Sequence, residues 1–170
     1  MSQKGRSYLA IPGPSIIPER VLNAMHRPSP DIYKGELHEL TASLIPDLQT
    51  VAQTEAKVAI YIANGHGAWE AAIANTLSPG DEVLTLATGR FAFGWAEIAE
   101  KLGVKITVLD FGKSTGVNLE KVEEFLTKDT SNKFKAILVA HTDTSTSIRT
   151  DLKELRMCID KVGHKAMIFA

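Results

Sequence analysis

Residues 58–76 read Val58-Ala59-Ile60-Tyr61-Ile62-Ala63-Asn64-Gly65-His66-Gly67-Ala68-Trp69-Glu70-Ala71-Ala72-Ile73-Ala74-Asn75-Thr76. The first five are apolar and partly β-branched, which predicts a buried strand. Asn64 to Gly67 is a polar turn, and the alanine-rich run from Ala68 to Thr76 predicts a helix. Strand, glycine turn and helix in succession aim several backbone N–H groups, and the positive end of a helix dipole, at one spot. That spot suits a phosphate. Glycine lets the backbone come close, and Asn64 and His66 add side-chain donors. The turn has neither the Lys-Ser/Thr pair of the Walker loop nor the spaced glycines of a dinucleotide-binding turn. Many α/β proteins use such a turn as plain loop geometry, so both readings stand at this point.

Upstream, Leu9 to Pro18 (LAIPGPSIIP) is rich in proline and predicts an extended arm. Pro18 to Met25 predicts a helix with proline in its first turn. From Gly35 to Thr54, leucine, isoleucine and valine recur at helical spacing, and Pro46 predicts a kink or an early end. Downstream, Leu77-Ser78-Pro79-Gly80-Asp81 is a turn and Glu82 to Ala87 a strand. Phe91 to Leu102 predicts a helix stopped by Gly103, and Val104 to Leu109 a strand. Asn118 or a close neighbour caps a helix carrying Leu119, Val122, Phe125 and Leu126. Phe134 to Ala140 is a strand apolar throughout, as expected when both faces are covered. Thr142 to Thr150 reads as a polar loop, Asp151 to Val162 as a helix, and Lys165 to Ala170 as a further strand.

Strands alternating with helices predict an α/β fold, a mostly parallel sheet with helices on both faces. Ligands of such sheets sit beyond the carboxyl ends of the strands. The loops expected there are Asn64–Gly67, Thr88–Phe91, Asp110–Ser114 and His141–Ser147.

Composition narrows the partners. The 170 residues are 44% hydrophobic and 23% charged, as in ordinary soluble domains. A formal net charge of -1 offers no electrostatic reason to expect nucleic acid or an anionic membrane. The single cysteine, Cys158, lies in a helical pattern and reads as a packing residue, not a nucleophile. The first residues show no targeting pattern and no apolar run reaches membrane-spanning length, so a cytoplasmic address is expected.

Four stretches then resemble one family. IPGPSIIPERV is similar to the opening of the class V pyridoxal-phosphate (PLP) aminotransferases, in their serine/alanine–glyoxylate branch. ANGHGAWEAAIANTLSPGDEVL resembles that family's phosphate loop and following strand. TGRFAFGWAEIAEKLG resembles its next loop and helix, and VAHTDTSTSIRTDL its His-x-Glu-Thr-Ser-Thr-Gly loop. The resemblance runs in order from Leu9 to Ala170. It implies the large domain of the fold type I PLP transferases, incomplete at its C-terminal end, with an arm over residues 1–18 and the front of the PLP-binding domain over 19–170.

By this resemblance the cofactor-binding residues are Asn64, Gly65 and His66 for the phosphate, Phe91 stacked on the pyridine ring, and Thr144 near the ring's phenolic oxygen. On its own residue type, without the resemblance, Phe91 reads first as a helix-start residue packed in the core. Three positions depart from the family: Asn64 for a serine or threonine, Asp143 for a glutamate, and Ser147 for a glycine. Ser147 is strained if its φ is positive. His141 reads as either a structural or a site residue, and Trp69 and Trp95 as packing residues.

The resemblance places the pyridine-nitrogen aspartate directly after Ala170, and the Schiff-base lysine and carboxylate-binding arginine later still. Lys57, Lys105, Lys135 and Lys165 fall at strand starts, the wrong edge of the sheet. No catalytic residue is expected within these 170, and the segment is expected to be inactive alone. The implied reaction moves an amino group from serine, alanine or aspartate to glyoxylate or pyruvate, in a homodimer. A PLP-dependent lyase or desulfurase, and a non-catalytic protein that binds an anionic metabolite, are the alternatives.

Overall fold

The computed structural model describes residues 9–11 and 13–170. It divides into two units, one ending at Ile60 and the other running Tyr61–Ala170. The first holds α1 (Glu19–Met25) and α2 (Glu36–Ala52), with Pro18 at the N-cap of α1. The described part of the expected arm, 9–11 and 13–18, has neither helix nor strand, and the rest of it lies outside the described residues.

α2 continues past Pro46 to Ala52 instead of ending there. Proline's φ fits a helix, and its cost is the lost bond to the carbonyl four residues back. No residue of α2 is fully buried, so water can serve that carbonyl.

The predicted strand Val58–Ile62 is not a strand. The segment joins no ladder among the described residues and bends at Ile62. Ile60 and Ile62 are exposed at 60% and 106%. A strand is defined by the neighbour that takes its N–H and C=O groups, and apolar content alone supplies none.

The second unit is the α/β layer. It contains α3 (Gly65–Thr76), β1 (Glu82–Ala87), α4 (Arg90–Lys101), β2 (Lys105–Asp110), α5 (Leu119–Lys128) and β3 (Phe134–Val139). β4 (Thr142–Asp143), β5 (Ile148–Arg149), α6 (Leu152–Val162) and β6 (Met167–Phe169) complete it. The sheet order is β2-β1-β3-β6, with every pairing parallel. Central β1 and β3 are almost wholly buried while edge strand β2 is half exposed, which is why β1 and β3 read as continuous apolar runs.

Side chains alternate between two cores. Leu84, Leu86, Ile137 and Val139 pack with α5 and α6 through Val122, Leu126, Leu155 and Ile159. Val83, Ala136 and Leu138 pack with α3 and α4 through Ile73, Trp95 and Ala99. Helices therefore cover both faces, as predicted.

Two findings position the site. β1 leads through α4 to β2 on one side, and β2 returns through α5 to β3 on the other side of β1. The chain reverses across the β1–β3 pair, and in an open α/β sheet the ligand crevice forms beyond the carboxyl ends of such a pair. The expected polar loop Thr142–Thr150 is instead a short hairpin, β4 pairing antiparallel with β5. The amides of Thr146 and Ser147 both donate to the Asp143 carbonyl, at 3.1 and 2.8 Å, and close the turn. Hydrogen bonds rather than apolar burial hold this hairpin, so hydropathy alone does not reveal it.

At the opposite, amino ends of the strands, buried Asp129 and His164 pair at 3.0 Å. The Asp129 carboxylate also accepts from the amides of Lys133 and Phe134 and from the Ser131 hydroxyl. The other ring nitrogen of His164 accepts from the Ala166 amide, so the ring is the neutral tautomer with its proton on Nε2. The pair ties the entry of β3 to the entry of β6.

Candidate active site

Three segments meet at the carboxyl end of the β1–β3 pair. The first is the start of α3. Asn64 is its N-cap, and its Oδ1 accepts from the amides of His66 and Gly67 at 3.1 and 3.4 Å. That bond fixes the amide orientation and leaves Nδ2, a donor, free to face outward. A Cβ on Gly67 would lie 2.4 Å from the Ala63 Cβ, so the turn is closed to larger residues there. Around Gly65 there is open space.

The second segment, Thr88 to Ala92, carries β1 into α4. Phe91 is half-buried. Its ring lies 6.2 Å from that of His66 and 6.2 Å from Trp69, while His66 and Trp69 meet edge to face at 4.8 Å. Trp69 stacks on Trp95 at 5.2 Å with planes 10° apart, and Trp95 is 2% exposed. Trp95 is thus a packing residue, as predicted. Trp69 packs too, but it also backs both His66 and Phe91, a connection invisible in the sequence. The Thr88 hydroxyl is buried without a partner among the described residues.

The third segment is the β4–β5 hairpin. Asp143 is fully buried, and its carboxylate accepts from the amides of Phe91 and Ala92 at 2.9 and 3.3 Å. It also accepts from the amide and hydroxyl of Ser145. Ser145 Oγ in turn accepts from the Arg90 amide at 2.9 Å, and Thr146 Oγ1 donates to the Thr88 carbonyl at 3.0 Å. Thr144 stands between these anchors, exposed. Gly89 must be glycine: a Cβ there would lie 2.5 Å from the Asp143 carboxyl carbon and 2.7 Å from Ser145 Oγ.

The five predicted cofactor residues therefore lie on segments that the fold brings together. His66 and Phe91 are in ring contact, and Phe91 is bonded to the residue before Thr144. His141 is exposed, with its carbonyl accepting from the Thr150 amide. Ser147 has φ 62°, the strained conformation considered from its sequence position. Cys158 is buried, and burial, then the Glu123 charge, push its thiol up; it is a protonated packing residue. Lys105, Lys135 and Lys165 sit at the amino ends of β2, β3 and β6, away from this site.

The family model of the class V aminotransferases matches residues 7–169. The chain belongs to this family. A serine–glyoxylate aminotransferase of Methylorubrum extorquens is 37% identical over 97% of this chain and 41% of its own length. An L-aspartate–glyoxylate aminotransferase of Paracoccus denitrificans is 33% identical over 94% of the chain and 40% of its own length. A subgroup IV aspartate aminotransferase structure from Thermus thermophilus superposes with a TM-score of 0.84 at 25% identity, covering 95% of this chain and 44% of that one. The chain thus spans about two-fifths of the length of the relatives it matches.

Class V aminotransferases are PLP-dependent, and the donors present suit PLP. With the His66 and Gly67 amides taken by the Asn64 cap, the start of α3 still offers the Gly65 amide, Asn64 Nδ2 and the His66 imidazole to a phosphate, beside the aromatic face of Phe91. The start of α4, by contrast, is closed to an anion because Asp143 already takes its amides. Of the two helix starts at this crevice, α3 is the one left for phosphate.

Proposed function

We propose that the whole protein is a PLP-dependent aminotransferase that moves an amino group from a small amino acid, serine, alanine or aspartate, to glyoxylate or pyruvate. The observation that carries this reading is the meeting of His66, Phe91 and the Asp143–Thr144 hairpin at the switch point of a class V sheet. The names of the relatives support glyoxylate as acceptor and serine or aspartate as donor.

Asn64, Gly65 and His66 hold the phosphate in this reading, so that the cofactor is anchored at the α3 N-terminus. Phe91 stacks on the ring and fixes its tilt, and Thr144 donates or accepts at the phenolic edge. PLP, when bound, supplies an electron sink that lets an amino acid exchange its amino group for a carbonyl oxygen. The lysine and aspartate that serve it are assigned to chain following Ala170. Residues 19–170 are the front of the cofactor domain, 1–18 an arm, and the active form a homodimer in the cytoplasm. Among the described residues no helix is long and apolar enough to cross a membrane.

The test uses full-length protein loaded with PLP and supplied with L-serine and glyoxylate. Conversion to hydroxypyruvate and glycine, with a visible cofactor band that shifts on adding L-serine, is expected. A cofactor band with no amino transfer to glyoxylate or pyruvate from serine, alanine or aspartate contradicts the reaction. No band at all contradicts the cofactor.

A further inference from the structure

We propose that Asp143 is the positioning residue of this site: its buried carboxylate sets Phe91 and Thr144 against one another, with Ser145 and Gly89 completing the lock. The proposal deepens the PLP reading above and rests on it. A helix start is usually capped by the side chain of its own N-cap residue. In α4 that residue is Gly89, which has no side chain, and the cap is delivered from a hairpin more than fifty residues away.

The two carboxylate oxygens divide the work. Oδ2 takes the amides of Phe91 and Ala92, while Oδ1 takes the amide and hydroxyl of Ser145. Ser145 Oγ passes the connection on to the Arg90 amide, and Thr146 ties the Thr88 carbonyl. The backbone carrying the ring-stacking residue and the backbone carrying the hydroxyl residue are thereby joined through one fully buried group. A cap alone would need only the bonds to Phe91 and Ala92. The remaining bonds, and the contact that excludes any Cβ at Gly89, serve to hold the two loops in register.

Buried charge-assisted hydrogen bonds of this kind are costly to break, and small displacements at a cofactor ring are felt in turnover. The experiment uses the full-length protein and its Asp143→Ala and Ser145→Ala variants. Three quantities are measured: amide hydrogen exchange at Phe91 and Ala92 without cofactor, visible circular dichroism per bound PLP, and kcat with KM at saturating PLP. Asp143→Ala is expected to exchange those amides about tenfold faster. It should also lose about half of the dichroism and lower kcat about tenfold, with KM for the amino donor changed less than about threefold. Ser145→Ala moves each in the same direction by less. Should Asp143→Ala fail to fold, Asp143→Asn takes its place: its amide oxygen keeps the bonds to α4 while its NH2 cannot accept from the Ser145 amide. For this variant dichroism and kcat carry the test, and exchange at Phe91 and Ala92 is expected to stay unchanged.

Unchanged dichroism and kcat beside faster exchange would reduce Asp143 to a helix cap and overturn the proposal. Unchanged exchange in Asp143→Ala would overturn it too. A wild-type protein that binds no PLP contradicts the functional reading instead, and the exchange measurement, which needs no cofactor, still reports whether Asp143 holds Phe91.

Discussion

Ser147 sits at φ 62°, where its Cβ crowds the backbone. The Ser147→Gly variant removes that crowding but gains unfolded-state freedom, so a net stabilisation of about 0.5–1 kcal/mol is expected. Urea unfolding of the full-length protein checks it; an equal or lower midpoint contradicts it. Gly89 predicts the opposite sign. A methyl group there meets Asp143 and Ser145, and Gly89→Ala should cost about 1–3 kcal/mol by overpacking, read in the same unfolding experiment. Asn64→Ala should lose about 1 kcal/mol of helix capping and also weaken PLP binding, measurable by titration of the apo protein. At this scale the sequence was informative where backbone demands were concerned and poor on orientation. Ser147 could be flagged because glycine is the family residue there. That Asn64 turns its oxygen inward to cap α3, leaving the nitrogen as the free donor, depends on coordinates, because both atoms belong to the same side chain.

Among elements, β1 and β3 were legible because burial on both faces writes itself as an apolar run, and α5 because Leu119, Val122, Phe125 and Leu126 recur at helical spacing behind a capping residue. Val58–Ile62 was misread for the converse reason: the same apolar pattern says nothing about whether a neighbour is present to pair with it. The Asp129–His164 tie was also hidden, since its two members are 35 residues apart. Burial pushes the Asp129 carboxyl up, but the bonds from His164, Lys133, Phe134 and Ser131 outweigh it and hold the group down at about 2. Unfolded aspartate titrates near 3.9, so between these values the unfolded chain binds more protons than the folded one. The stabilisation is therefore full above about pH 4 and is lost as pH falls through about 2. Acid titrations of stability for wild type and Asp129→Asn should converge over that window. Parallel curves from pH 6 to pH 2 would show that Asp129 does not carry the effect.

For the whole molecule, an α/β layer with ligand loops beyond the carboxyl ends of its strands was readable from the order of elements, and the family from four stretches in sequence; the β1–β3 switch point came only with the strand order. The convergence of the site was not readable either. His66 and Phe91 touch because α3 and α4 pack side by side on one face of the sheet, and the hairpin bonds to Phe91 through a buried carboxylate that the sequence shows as one acidic residue among hydroxyls. The central claim is that these segments form one PLP seat. A crystal structure of the full-length protein with PLP tests it most directly. The account predicts the phosphate hydrogen-bonded to the Gly65 amide, Asn64 Nδ2 and the His66 imidazole, the Phe91 ring stacked on the pyridine, and Thr144 at its phenolic edge. A phosphate bound away from the start of α3, or a pyridine ring that Phe91 does not cover, would contradict it.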